Sequence, residues 1–315
     1  MGKIVITGVD GNLIGYAAEL VLQEVPGDRC IFTSPALDSI PAARVQAWKD
    51  KGVEVLALDY DNVAGMEKAF KDADVVQLVS TWMIGSIRRA QHRRAVSAAK
   101  AAGAKRVLYT SFIGAGAEVD TPYVASDHRD TEQAVYESGL AWNIQRNNLY
   151  LDTHVRVFVP AAANKLNNTW PCNCGRTKAS YVARQDCSRV AAALILGKCE
   201  PNRVYTVTGP ELLSDQDIFD LVKQETGWEG KSNEMSDTEL YAYWKAQGVP
   251  LYSDGDFSKA PIPHISATDL TENWSAVRKG FHSFISDDYE KLTGKKPVSA
   301  IEVIRQFKDE LPKKA

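Results

Sequence analysis

The first fifteen residues, MGKIVITGVDGNLIG, constrain this chain more than any other stretch. Lys3–Thr7 is short, apolar and β-branched, so it reads as a buried strand. Gly8, Gly11 and Gly15 punctuate the turn that follows, and Tyr16 to Val25 continues with helical spacing. A strand, a glycine turn and a helix form the opening unit of a dinucleotide-binding, doubly wound fold. Gly8 permits the tight turn and Gly11 lets the backbone approach a pyrophosphate. The helix N-terminus then presents free N–H groups to the phosphates. The spacing is irregular. A G-x-x-G-x-x-G turn wants its third glycine at position 14, where this chain has Ile14, and glycine comes one residue late at Gly15. A doubly wound domain whose nucleotide crevice has decayed is the competing reading.

The unit repeats. Strands are expected at Cys30–Thr33, Val53–Leu58, Asp74–Ser80, Lys105–Ser111 and Leu140–Gln145. Helices are expected at Pro41–Lys51, Val63–Lys71, Ile87–Ala102 and Ser126–Ser138, the last capped by Ser126 or Asp127. Such alternation predicts an α/β fold, a parallel Rossmann-like sheet with helices on both faces. Phe112–Ala125 reads as a loop over the carboxyl edge of that sheet. Beyond Arg146 the pattern is mixed, with helices expected at 149–158, 185–196, 215–226, 237–247 and 300–310. The division expected is a dinucleotide-binding domain over 1–150 and a smaller, less regular substrate-side lobe over 151–315, with some segments returning to the sheet. The late run Glu272–Ile285, with Trp274, Phe281, His282 and Phe284, fits a lid, a dimer surface or core equally.

Composition excludes several classes. The net charge is -3 and no basic block stands out, which argues against nucleic acid. No apolar run approaches the roughly 20 residues of a membrane span. Five scattered cysteines suggest no disulfide framework, so a cytoplasmic, reducing setting is expected. Cys172-Asn-Cys174 looks like half a metal site, but no second pair or nearby histidine stands at ligand spacing, and no metal is expected.

Several short motifs then point one way: Thr7–Gly11, Leu58–Tyr60, Gln91-His92, Ala98–Gly103, Tyr109–Ser111, His128–Glu132, Arg146-Asn147, Arg184–Asp186 and Ser286–Gly294. With these the chain resembles the NmrA-like, atypical short-chain dehydrogenases. Within them it is similar to the NAD(P)H:quinone oxidoreductases and triphenylmethane reductases. The resemblance implies a cofactor lying across the carboxyl ends of the strands. Its contacts would come from Gly8, Asp10, Gly11, Asn12 and Leu13, from Ser34 and Asp59, and from Ser80, Thr81 and Thr110.

The wider superfamily uses Tyr-x-x-x-Lys, whose two side chains share a helical face. Here the nearby tyrosine, Tyr123, is followed at that spacing by Asp127, and a carboxylate would raise the tyrosine pKa. His128 is the better catalytic candidate. It falls where pinoresinol-reductase-like relatives carry lysine and where the quinone and triphenylmethane reductases carry histidine. An imidazole there can donate to a ribose hydroxyl or a substrate carbonyl, or protonate a reduced product. Tyr123 and Ser111 complete the catalytic set. Trp82, Met83, Phe112, Asn148, Tyr150 and Trp170 are expected to rim the crevice and hold a flat substrate. The segment after the second strand carries no basic residue and Asp10 would repel a 2′-phosphate, so NAD(H) is favoured and NADP(H) possible. The function expected is reduction of a quinone-like or other conjugated aromatic carbonyl compound. A dinucleotide-sensing regulator without catalysis and a non-redox enzyme of lyase or aldol type are the alternatives. A homodimer is compatible with each.

Overall fold

A computed structural model describes residues 2–116 and 123–314, with Tyr123 described by its backbone alone. Strands β1 (Ile4–Thr7), β2 (Cys30–Ser34), β3 (Glu54–Ala57), β4 (Val75–Leu78), β5 (Arg106–Phe112) and β6 (Ala141–Asn147) fall where the apolar runs predict them. Two short strands, β7 (Thr169–Cys172) and β9 (Lys231–Glu234), pair separately in parallel, and β8 (Arg203–Val207) joins the main sheet. The main sheet runs β3-β2-β1-β4-β5-β6-β8, and every described pair in it is parallel. Every residue of β1, β2 and β4 is buried, as both-face coverage requires. Strand order reverses between β1 and β4, where open α/β sheets bind ligands.

Helices α1 (Asn12–Val21), α2 (Ala42–Asp50), α3 (Val63–Phe70), α4 (Ser86–Ala101) and α5 (Tyr123–Glu137) flank the sheet. One core layer holds Ile14, Phe32 and Trp48; the opposite layer holds Met66, Phe70 and Tyr109. The second half holds α6 (Leu151–Thr153), a π turn over His154–Phe158, and α7 (Val159–Lys165). It continues with α8 (Arg184–Ile195), α9 (Asp215–Thr226), α10 (Asp237–Ala246), α11 (Ala267–Arg278), α12 (Asp288–Thr293) and α13 (Ala300–Gln306). Its aromatic core gathers Phe158, Trp170, Phe219, Trp228, Trp244 and Trp274. Helix α8 turns back onto the first half, where the Ser188 hydroxyl donates to the Leu13 carbonyl at 2.8 Å. Among the described residues no helix is long and apolar enough to cross a membrane.

The differences from the sequence reading have physical causes. The expected loop from Phe112 is first the end of β5 and then a 3₁₀ turn over Ile113–Gly116; residues 117–122 lie outside the described ones. The expected helix at 149–158 continues to Lys165, with the π turn preceding Pro160. The stretch around 251–284 contains α11, started by Ser266 and Asp269 capping each other's backbone N–H groups. The polar β9 and the proline-bearing β7 pair only because the tertiary fold brings them together.

Candidate active site

The glycine turn does what its residue types predict, with one shift of register. Gly8 sits at φ +69°, and the Gly8 and Val9 amides both donate to the Thr33 carbonyl, at 2.7 and 3.1 Å. A Cβ on Gly8 would stand 2.3 Å from Val79 Cγ1. Gly11 caps α1 without a side-chain bond, and the helical ladder begins only with Gly15 N–H to the Gly11 carbonyl at 2.8 Å. The amides of Asn12, Leu13 and Ile14 therefore have no partner within the helix and are available to an anion. Ile14 points into the core, while a Cβ on Gly15 would meet the Val9 carbonyl oxygen at 2.6 Å. Gly15, not residue 14, is thus where helix and turn approach closely. The irregular spacing therefore leaves the turn and the start of α1 free of a clash at position 14.

Beside this turn, at the carboxyl ends of β4, β5 and β6, lies a cavity of about 350 Å³. Leu13, Ser80 and Thr110 of the expected cofactor set line it, with Ser111, Phe112, His128, Asn148 and Tyr150. The Ser80 hydroxyl donates to the Thr110 carbonyl at 2.8 Å, and Thr110 Oγ1 accepts from Gln77 at 3.0 Å. The remaining cofactor candidates lie outside the cavity. The Thr81 amide donates to His92 Nε2 at 3.1 Å. The Ser34 hydroxyl oxygen, buried at the end of β2, accepts from the Ala36 amide at 2.9 Å. Asp59 accepts from the Asp61 and Asn62 amides in the turn after β3. Asp10 and Asn12 are exposed.

Three substrate candidates are not brought together with the rest. Trp82 and Met83 face a separate depression, where Trp82 is 65% exposed and packs edge-on against His264. Trp170 is fully buried and stacks on Phe158 at 4.4 Å, as lobe core. Sequence alone cannot separate these roles, because an aromatic residue at a chain crossing serves core and cavity equally well.

His128 enters the cavity wall from the first turns of α5 and is buried. Its Nδ1 lies 2.8 Å from the Tyr109 hydroxyl. The hydrogen-bond network assigns its tautomer. The Thr81 amide donates to His92 Nε2, so neutral His92 carries its proton on Nδ1 and donates to Thr131 Oγ1 at 2.8 Å. The Tyr109 hydroxyl, also 3.4 Å from that protonated Nδ1, has two acceptors in reach, His128 Nδ1 at 2.8 Å and Ser80 Oγ at 3.3 Å, and we take it to donate along the shorter contact. His128 then holds its proton on Nε2, while its hydrogen bond among the described residues is made through Nδ1. Burial pushes the His128 pKa well below 6.5, and the Arg88 guanidinium and His92 push it the same way. At neutral pH the ring is an uncharged donor.

Ser111 is differently placed from what a proton donor needs. Its hydroxyl donates to Glu132 at 2.5 Å, and Arg146 clamps the same carboxylate through Nε at 2.9 Å and Nη2 at 2.5 Å. That clamp accounts for the His128–Glu132 and Arg146-Asn147 motifs: it ties α5 to β5 and β6. Tyr123's side chain lies outside the described residues. Asp127, at the usual lysine position, accepts from the Gly85 amide at 2.5 Å and pairs with Arg89 at 2.7 Å, so it anchors α5 to the start of α4.

The far wall holds groups that sequence reasoning missed. Arg88, His154, Asp269, Asn273 and Trp274 all line the cavity. Buried Asp215 orders this wall, with Oδ1 accepting from Tyr181 at 2.9 Å and bonded to His154 Nε2 at 3.1 Å, and Oδ2 accepting from Trp274. The Sγ atoms of Cys172 and Cys174 lie within 4.8 Å of each other and of an Asp215 oxygen. Both carboxylate oxygens of Asp215 are already engaged, and a hydrogen bond to Cys172 together with burial pushes the Cys174 thiol up. The one legible signal for this wall was Ser266-x-x-Asp269, a capping box.

Residues 41–195 match the NAD(P)H-binding family. The chain is 27% identical over 247 residues to quinone oxidoreductase 2 of Escherichia coli, covering 78% of this chain and 82% of that protein. It is 23% identical over 311 residues to an NmrA-like family domain-containing oxidoreductase of Aspergillus flavus, covering 97% and 94%. The chain is thus similar to NmrA-like oxidoreductases. Its fold matches that of the Citrobacter triphenylmethane reductase solved with NADP(H), with a TM-score of 0.78 at 22% identity over 96% of this chain and 99% of that one. The NmrA-like resemblance read from its motifs holds, and the expected NAD(P)H binding agrees with the family match over residues 41–195.

Proposed function

We propose that this chain is an NAD(P)H-dependent reductase of quinone-like or other conjugated aromatic carbonyl compounds, with His128 as the group that contacts the reacting oxygen. The observation that carries the reading is His128, held through Nδ1 by Tyr109, in a cavity that adjoins the glycine turn. The backbone at Gly8 and Gly11 and the N-terminus of α1 would hold the pyrophosphate, with Ser80 and Thr110 along the nicotinamide end. A bound nicotinamide supplies the hydride. His128 Nε2–H donates to the carbonyl oxygen of the substrate, where negative charge develops. Tyr109 holds the ring in the donating tautomer. Because burial keeps the imidazole neutral, His128 acts as a fixed donor rather than as an imidazolium acid. Phe112, Tyr150 and Trp274 offer flat walls to an aromatic substrate. NAD(H) is the preferred form, because Asp10 is exposed beside the turn and no base follows β2.

The test combines a titration of NADH and NADPH with a quinone reduction assay on the intact chain. His128→Ala should lower turnover by about 10²–10³-fold, the usual cost of removing one donor to a developing oxyanion. Dinucleotide affinity should hold, since the glycine turn is untouched. A dinucleotide sensor would bind without turnover in any variant. Failure to bind either dinucleotide removes both readings.

A further inference from the structure

The cavity lining carries groups of both polarities. His128 offers a donor. Three further buried acceptor atoms in its lining have no hydrogen-bond partner, Asp269 Oδ1, Asn273 Oδ1 and His154 Nδ1, with the Arg88 guanidinium in the same lining. Asp269 is 7% exposed and His154 2%. Asp269 and His154 are fixed by what their other polar atoms do. Asp269 Oδ2 takes the Ser266 hydroxyl at 2.7 Å in the capping box, which leaves Oδ1 over. His154 Nε2 faces the Asp215 carboxylate at 3.1 Å, which leaves Nδ1 as the ring nitrogen without a partner. Asn273 follows Asp269 by one helical turn, so both present to the same side of α11. Leaving a buried acceptor unmet costs free energy, and a site that does so at three neighbouring atoms is built for a group that arrives with its own protons.

We infer that the substrate carries a hydroxyl or amino group besides its reducible carbonyl, and that Asp269, Asn273 and His154 accept its hydrogen bonds. The inference rests on the reductase reading above and narrows it, from conjugated aromatic carbonyls in general to hydroxylated or amino-substituted ones. Burial raises the Asp269 carboxyl, and the Ser266 hydrogen bonds and then the Arg88 guanidinium, buried in the same wall, pull against that rise.

The test uses 1,4-naphthoquinone and its ring-hydroxylated counterpart with the intact chain and excess reduced dinucleotide. The wild type should favour the hydroxylated compound in kcat/KM by about tenfold or more, the usual worth of a hydrogen bond to an otherwise unmet buried group. Asn273→Leu should bring that ratio to within a few-fold, mainly through KM for the hydroxylated compound. Asp269→Asn keeps one capping oxygen and turns an amide N–H₂ toward the cavity, so it should erode the same preference. Quenching of tryptophan fluorescence, with Trp274 in the wall, gives the affinity of each compound separately from turnover. Equal handling of the two quinones by the wild type, or a loss in Asn273→Leu that is the same for both, overturns the inference and leaves the reductase standing. Tighter binding of the hydroxylated compound with no dinucleotide oxidation overturns the reductase reading and leaves the acceptor wall.

Discussion

Acidification should destabilise this fold through three buried imidazoles, before most carboxylates titrate. Burial, reinforced by Arg88, pushes His92 down to about 3; burial pushes His282 down to about 4; His128 lies well below 6.5. In the unfolded chain each takes a proton near its ordinary value of about 6.5. In the folded chain none does until the pH falls much further. Below about pH 6.5 the unfolded state therefore binds more protons, and stability falls with pH. At about pH 5.5 each imidazole costs about 1.4 kcal/mol, and the three together roughly 4 kcal/mol. Against the usual net stability of about 5–15 kcal/mol that is a large share. Asp127 and Asp269, raised by burial, act with the opposite sign, but carboxylates weigh mainly at lower pH. Urea unfolding followed by tryptophan fluorescence at about pH 7.5 and 5.5 measures the difference. His282→Gln should remove about a third of it. Equal stability at the two pH values would sink the argument, since at least one buried ring would then be taking its proton inside the fold.

Two further outcomes follow from the geometry. Glu132→Gln should leave Arg146, whose side chain is 22% exposed, without its carboxylate, at a cost of about 2–4 kcal/mol after allowance for that exposure; thermal unfolding should show it as a drop of several degrees. Asp10→Thr combined with Ser34→Arg should move preference toward NADP(H) by about 1–3 kcal/mol, read from paired dinucleotide titrations; native binding of NADPH about tenfold tighter than NADH would contradict the premise.

Local chemistry made the first half legible. The β-branched run Ile4–Thr7, the glycines at 8, 11 and 15, and the strand–helix alternation through Gln145 each carry their own conformational preference, so elements and sheet class followed from the sequence. The same logic placed His128 on a helix near its start, because a helix face is a periodicity. What the sequence could not supply were relations between distant residues. Whether Ile14 spoils the turn depended on whether position 14 or 15 meets the Val9 carbonyl, and that is a matter of how α1 lies on β1. Whether Ser111 can donate depended on Glu132 and Arg146, which meet it only when β5, α5 and β6 pack. The state of His128 depended on Tyr109 and His92, from β5 and α4. Trp170 and Trp274 are alike in sequence terms, yet one is core and the other also cavity wall. The glycines and the apolar pattern act through the backbone of their own segment, so the chain specifies them one stretch at a time. Tautomer, charge state and polarity of the cavity arise from side chains far apart in sequence, and only their packing sets them.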